Sequence, residues 1–348
     1  MTIATGVAKK VLYKKEGSST WGTKATNTGA RYLRRVTSDL DLSKETYKSN
    51  EIVSHYQMAD FRHGTRKVTG TINGELSPGS YWEFIQTACR RDHTTVTAIT
   101  AVSLTVAVGA LLNGVPSYNL SRAAGNWYTD NVRVGMVIRV TSGLANAANI
   151  NRNLLVMAFT TALVIVVIPV NGTGSTAGST GPLVAEGPTS STVTIPGKIT
   201  YVPATGHTND SYSVEHYYSD LVQSEVFTGC RVSTVDIDLP ATGMATCAVG
   251  MMGKDVETQS SQFYTTATVG PSTKGVIAAV NGVVKVGGIP VGILTGMKIQ
   301  INGGMTTGQV IGSNFTPDVF AGRVDVSGQF TAYFDSVTNR DEIGRAHV

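Results

Sequence analysis

Charge is scarce in this sequence. Only 15% of its 348 residues are Asp, Glu, Lys or Arg, which disfavours long solvated helices. The balance is shallow as well, a net +4. The nearest basic clusters are short: Arg34–Arg35, Arg62 with Arg66–Lys67, and Arg90–Arg91. Duplex DNA binding needs a concentrated basic face, so these read as scattered solubility charges. Cysteine is nearly absent. Cys89, Cys230 and Cys247 are three, widely spaced, and form no CxxC, which excludes a zinc knuckle and a redox pair. Free, buried thiols in a reducing cytosol are the reading that remains. No apolar stretch precedes Lys9–Lys10, so no secretory signal is predicted.

Catalytic signatures are missing too. There is no GxxxxGK[ST] phosphate loop, and Gly172–Gly181 lacks both the Lys and a strand-to-helix setting, so it reads as a flexible loop. No HExxH occurs. His207 and His216, with Asp210 and Glu215 between them, match no metal-ligand spacing, and His55 and His63 flank a loop at Asp60. All four histidines read as surface or strand residues. No GxSxG elbow or activated nucleophile is present. Asp236 and Asp238 are paired carboxylates, but two residues apart on a strand they share one face. That suits a solvated surface better than acid–base work, which needs a perturbing pocket for one of them. No catalytic, cofactor-binding or metal-binding residue is predicted.

Long apolar runs are limited to Leu154–Val170. This stretch falls just short of a spanning helix, is rich in β-branched residues, and carries Thr160–Thr161 at its centre. It predicts two buried strands with a short turn.

What the sequence has in quantity is Gly (38 residues) with abundant Thr, Ser and Val, at 41% hydrophobic content. That mixture favours short strands joined by turns. In Arg66–Leu76, Val68, Gly70, Ile72, Gly74 and Leu76 fall on one face. Thr69, Thr71, Asn73 and Glu75 fall on the other. After Ser77-Pro78-Gly79 the period changes: Tyr81, Phe84, Ile85, Ala88 and Cys89 mark one amphipathic helix over about 81–90, with Ser80 as N-cap. A middle zone, 94–202, predicts strands at Val96–Val108, Val137–Thr141, Leu154–Phe159, Leu163–Ile168 and Thr192–Ile195. It reads as a small SH3-like or OB-like barrel inserted between two halves, 1–93 and 203–341. In the second half, Val235, Ile237 and Leu239 alternate with the two aspartates before a Pro240–Gly243 turn. A partner strand over Met244–Met251 follows, with later runs at Gly275–Val286, Met297–Ile301 and Arg323–Phe334.

The two halves repeat. Asp60, Gly64, Val68, Gly70, Ile72 and Leu76 align with Asp318, Gly322, Val326, Gly328, Phe330 and Phe334, and Asn50 is matched with Asn314. Two similar half-sheets flanking an insertion would produce this pattern. The last seven residues, Glu342–Val348 (EIGRAHV), equal an in-frame translation of a common sequencing adapter. They predict that the natural frame was interrupted near Asp341, leaving Arg345 and His347 without a role.

These segments resemble one known family. The carriers are Thr20-Trp21-Gly22, Leu33-Arg34-Arg35-Val36, Ser49-Asn50-Glu51-Ile52, Ala59 to Gly64 and Gly74 to Gly79. Tyr201 to His207, Phe227 to Cys230, Leu294 to Met297 and Phe320 to Phe334 complete the set. Together they resemble the tail tube proteins of long-tailed bacteriophages over most of residues 10 to 341, although relatives continue beyond Asp341 through further strands.

The resemblance implies a mainly β fold: a tail-tube β-sandwich with one flanking helix and an inserted small barrel on the outside. It implies self-assembly into stacked hexameric rings, made in the host cytoplasm and carried in the virion tail. Expected partners are the tape measure and tail terminator proteins and, transiently, viral DNA in the lumen, with no cofactor and no membrane. On this reading Thr69, Thr71, Asn73, Glu75, Asp236 and Asp238 include lumen-facing residues. The loop between Tyr47 and Thr65, with Asn50, Asp60, Phe61, Arg62 and His63, makes inter-subunit contacts, as do Asn314 and Asp318 in its repeat counterpart. The rival readings are a carbohydrate-binding or adhesin module, centred on the barrel, and a cell-wall hydrolase.

Overall fold

The structure, a computed structural model, describes residues 5–17, 21–54, 57–112, 116–169, 182–199, 205–265, 270, 273–278, 285–286, 289–290 and 294–333. The loop predicted at Gly172–Gly181, His55, Phe334 and the terminal segment Glu342–Val348 lie outside them. Contacts divide the chain into two compact units, one within 1–92, 200–284 and 291–340, the other within 93–199 and 285–290.

The chain opens with β1 (Lys9–Lys15), β2 (Arg31–Tyr32), β3 (Thr37–Ser38), β4 (Asp41–Lys48), β5 (Phe61–Glu75) and α1 (Trp82–Ala88). It continues through β6 (Thr94–Thr95), β7 (Ile99–Val108), β8 (Tyr118–Arg122), β9 (Val137–Ser142), β10 (Leu154–Phe159), β11 (Val164–Pro169), β12 (Glu186–Thr194) and β13 (Lys198–Ile199). Next come β14 (Tyr212–Tyr218), β15 (Gln223–Pro240), β16 (Thr246–Gly253) and β17 (Asp255–Gln259). The last strands are β18 (Lys285–Val286), β19 (Ile289–Pro290), β20 (Leu294–Asn302), β21 (Thr306–Thr307), β22 (Val319–Phe320) and β23 (Asp325–Ala332).

The first unit is organised by β15. Its first half pairs with β14 and β17, its second half with β16 and β20, and a register shift at Val232/Thr234 interrupts the β16 ladder near the changeover. A strand that changes partners part-way along belongs to two half-sheets at once. One half runs β2-β1-β14-β15-β17; the other runs from β3 and β4 through β5-β16-β15-β20-β23. Side chains of both meet in one core: Tyr13, Tyr212 and Phe227 from the first, Val68, Ile72, Val249 and Val235 from the second. The face read from the sequence for Val68 and Ile72 is the buried one, both fully inaccessible.

Helix α1 closes this core with Tyr81 and Phe84 inaccessible and Ala88 nearly so. It is shorter than the 81–90 span expected, and Ser80 is not its cap. The Ser80 hydroxyl instead donates to Ser77 O (2.8 Å) and accepts from Ser77 N (3.2 Å), so it closes the preceding turn. Arg90 ends the helical course by taking a left-handed φ of 53°, and its guanidinium donates to Gly303 O at 2.6 Å.

Three further expectations change. The polar loop predicted across Tyr47–Thr65 is mostly ribbon: Lys48, Tyr47 and Thr46 pair with Phe61, Arg62 and His63. Among the described residues only 49–54 and 57–60 are loop, closed by Ser49 N donating to Asp60 O at 3.0 Å. Both faces of this ribbon end are exposed, so no burial periodicity marked it as strand. Within Gly275–Val286, residues 275–277 are not strand, Ala278 forms an isolated bridge with Met244, and Lys285–Val286 pair with β19. Cys230 and Cys247 are buried, but Cys89 is only half-buried.

The second unit is a closed barrel in the order β10-β11-β8-β7-β12-β9. The apolar run does form two strands, β10 and β11, turned at Thr160–Leu163 with Thr160 N donating to Val164 O at 2.9 Å. Leu154, Val156, Ile165 and Val167 fill the interior around Trp127, whose indole N–H donates to Leu163 O at 3.0 Å. Trp127 is therefore a core residue. Among the described residues no helix is long and apolar enough to cross a membrane.

Candidate functional site

Residues directly opposed in an antiparallel ladder share a face, so the register identifies every neighbour of Thr69, Thr71, Asn73 and Glu75. Across β16 these meet Met252, Gly250, Ala248 and Thr246. Ala248 and Thr246 in turn oppose Asp236 and Asp238 on β15, which oppose Gln300 and Lys298 on β20. Those reach Ser327 and Gln329 on β23. All six residues singled out from the sequence thus lie on one face of one sheet, the face opposite Val68 and Ile72.

That face is polar and internally bonded. Asp236 accepts from Gln300 Nε2 at 2.7 Å, and Asp238 lies 3.5 Å from the Lys298 ammonium. Asn73 Nδ2 donates to Thr37 Oγ1 at 3.0 Å, and Thr71 N donates to the Asp39 carboxylate. A shallow depression of about 500 Å³ runs over β15, β20 and β23, floored by Asp236, Asp238, Lys298, Gln300, Ser327 and Gln329. Glu75, Asp236 and Asp238 outnumber Lys298 along this part of the face, and Asp325 is paired with Arg323 at 2.7 Å.

The sheet ends differently on its last strand. Among the described residues β23 pairs only with β20. On its apolar side Val326 is 61% exposed and Phe330 37%. A strand with one edge open and its apolar side exposed in this way is a template for another chain.

The predicted contact residues gather at the opposite end of β5 from Glu75. Asn50, Asp60, Phe61, Arg62 and His63 are all exposed on the β4–β5 ribbon and its loop, with Asp60 bonded to Arg62 Nε at 2.9 Å and Phe61 stacked edge-on to His63. The repeat counterpart is held beside it. Asn314 O accepts from Arg66 N at 2.9 Å, the Arg66 guanidinium lies 3.9 Å from the Phe315 ring, and Gln309 donates to Glu45 and Thr65. Asp318 turns inward to the buried Arg231 at 2.8 Å. The alignment of Asp60 with Asp318 has a physical counterpart: each carboxylate accepts from the next backbone N–H, at 2.7 and 2.8 Å.

Histidine and carboxylate clusters do not converge. His216 is buried and shares a 2.8 Å hydrogen bond with Ser38. Glu215 accepts from the backbone N–H groups of Phe263 and Tyr264, Asp210 pairs with Lys15, and His207 is exposed. Among the described residues no three potential ligands come together. Burial pushes the Cys247 thiol up to about 12, so it is protonated at neutral pH.

Sequence reasoning missed one gathering of charge. Lys9–Lys10 and Arg34–Arg35 are far apart in the chain, but β1–β2 pairing brings them to one groove. Neither pair alone was a signal.

Comparison with known protein families matches residues 6–343 to the family described as Phage tail tube protein. No curated protein matches the chain.

Proposed function

Because the chain belongs to the phage tail tube protein family, we propose that it is the repeating subunit of stacked hexameric rings that enclose a channel for DNA entering the host. It is a structural component of the virion tail that assembles with copies of itself and with other tail proteins. The finer reading supposes the tape measure protein inside the channel, the tail terminator at its end, and assembly in the host cytoplasm. It also treats residues 94–202 as a domain inserted into the sandwich and carried outside the bore.

The observation that carries this reading is the end of the sheet at β23. Among the described residues the ladder stops there with a free edge and an exposed apolar side, while the other face stays polar over five strands. A neighbouring copy that continues the ladder would satisfy that edge and extend the polar face around an axis. A bore through which DNA slides should avoid phosphate contacts, because each Lys or Arg contact adds binding. Glu75, Asp236 and Asp238 then repel the duplex, and Thr69, Thr71 and Asn73 keep the surface wet.

The test has two parts. Purified chain viewed by negative-stain microscopy should form rings or tubes. Phage carrying Asp236→Lys with Asp238→Lys should assemble tails yet release DNA more slowly, with the delay shrinking as salt rises. An assembled tube lined by Lys and Arg would sink the lumen assignment.

A further inference from the structure

The barrel carries almost no charge. Residues 94–197 hold four Arg, one Asp, one Glu and no Lys. Each of these six is engaged within the unit. Arg122 pairs with Asp130 and lies 4.9 Å over the Trp127 ring. Arg139 donates to Asn153 Oδ1, and Arg152 to Ala148 O. Glu186 accepts from the backbone N–H groups of Ala145 and Asn146. Arg133 donates to the carbonyls of Tyr128 and Val132. The surface left over is neutral, part apolar and part amide or hydroxyl.

One end of the barrel concentrates both kinds. Trp127 N and Nε1 donate to Ala162 O and Leu163 O, each at 3.0 Å, which ties the segment 126–134 to the turn between β10 and β11. A bulge between Val156 and Ala158 shifts β10 by one residue, so Phe159 opposes the buried Ile165 instead of facing outward. Phe159 thereby reaches the rim of the core, half-buried. The Tyr128 ring stands 4.8 Å from it, with the Arg133 guanidinium 4.6 Å over Tyr128. Closing the core does not require Tyr128. Trp127 beside it is already inaccessible, whereas Tyr128 is 51% exposed and Val134, next to Arg133, 45%. The Asn131 amide and the Thr160 hydroxyl are exposed and bond to no protein group among the described residues. Thr129 uses its hydroxyl to donate to Asn126 O at 3.0 Å and keeps its acceptor side open.

Charge selects among the ligands that favour aromatic rings. A nucleic acid or other anionic polymer needs uncommitted Lys or Arg for its phosphates, and a charged peptide needs counter-charges; here the cations are committed to rings and carbonyls. A proline-rich peptide docks into a groove between aromatic side chains, and two rings whose centroids are 4.8 Å apart leave no such slot. A sugar ring meets every condition. Its C–H face packs on an aromatic ring, its hydroxyls exchange hydrogen bonds with amides and hydroxyls, and it needs no charge. We infer that Tyr128 and Phe159, rimmed by Thr129, Asn131 and Thr160, form a binding platform for a neutral oligosaccharide. The platform lies wholly within the barrel unit, so it stands independently of the ring and lumen assignments.

The experiment immobilises the full chain and titrates maltohexaose, cellohexaose and chitohexaose, with decaproline as the peptide control, reading binding by surface plasmon resonance. At least one hexasaccharide should bind, and equally well at about 0.5 M salt, because no ion pair is involved. Tyr128→Ala should weaken that binding about tenfold, the size of one aromatic stacking contact, and Tyr128→Phe by less than about twofold. Both variants alter an exposed side chain, so each should keep the parent's unfolding midpoint and form rings and tubes as the parent does. Three results overturn the inference: no hexasaccharide binds, decaproline binds in their place, or Tyr128→Ala binds sugar as the parent does. Loss of tubes in Tyr128→Ala overturns it as well, since the ring pair would then be an assembly contact. A parent that binds sugar but forms neither rings nor tubes overturns the tube-subunit reading alone.

Discussion

Strands β5 and β23 carry the same pattern and meet different fates. Both alternate polar and apolar residues and both place Gly at the same step, and an aspartate that bonds the next backbone N–H stands upstream of each, directly before β5 and directly before β22, which precedes β23. Val68 and Ile72 are nevertheless inaccessible, while their counterparts Val326 and Phe330 stand open. The difference is in the neighbours. β5 is flanked by β16 on one side and by β3 and β4 on the other, beneath the core that α1 closes, whereas among the described residues β23 has β20 alone. Alternation therefore codes for a strand with one apolar side without saying which chain covers that side.

Deleting core volume should separate the two strands most sharply. Ile72→Ala is expected to cost the isolated subunit about 2–5 kcal/mol, the range for a fully buried aliphatic side chain. Phe330→Ala should cost the isolated subunit under about 1 kcal/mol but hinder assembly. Denaturant unfolding together with assembly assays reads both, and equal losses in the monomer would erase the distinction.

Acid gives the next largest effect. Burial, reinforced by Lys9 and Arg35, depresses His216 from 6.5 to about 3. Its folded state therefore resists a proton that the unfolded chain takes up below about 6.5. Stability is intact above that pH and falls as pH drops from about 6.5 toward 3, by up to a few kcal/mol. Because the ring bonds Ser38 on the strand beside β5, hydrogen exchange should show β5 amides losing protection at pH 4 relative to pH 7. Amides at the β23 edge should exchange readily at both. His216→Gln should flatten the acid response, and an unchanged slope would remove His216 as its source.

The smallest effect concerns the repeated glycines. A Cβ at Gly70 would fall 2.6 Å from the Leu40 backbone, but one at Gly328 would come no closer than 3.6 Å to Lys298 O. Gly70→Ala should lower unfolding free energy by about 1–3 kcal/mol, and Gly328→Ala should stay within about 0.5 kcal/mol. Matching thermal shifts in the two variants would show that the backbone approach at Gly70 does not matter.

Much of the fold was legible because local period carries it. The buried face of β5 and the helix under the sheet follow from spacing of two or of three and four, and the hairpin from Leu154 to Pro169 follows from a β-branched apolar run broken by Thr160–Thr161. The candidate face was legible only in pieces. Thr69–Glu75 and Asp236–Asp238 each show polar alternation, but nothing in their spacing says that β16 bridges them. The ribbon at Phe61–His63 read as loop because a strand exposed on both sides has no burial period. The Asp318–Arg231 pair and the Lys9, Lys10, Arg34 and Arg35 groove depend on residues distant in the chain and left no local trace.

Taken alone, the order of residues determined where this protein makes strands, which side of each is apolar, and that its two halves echo one another, because these follow from backbone geometry over a few residues. The tertiary structure alone decided which strands are neighbours, which apolar sides are covered, and where charges from remote segments meet. Pairing and burial are set by contacts between distant parts of the chain, and identical local patterns can satisfy those contacts in different ways.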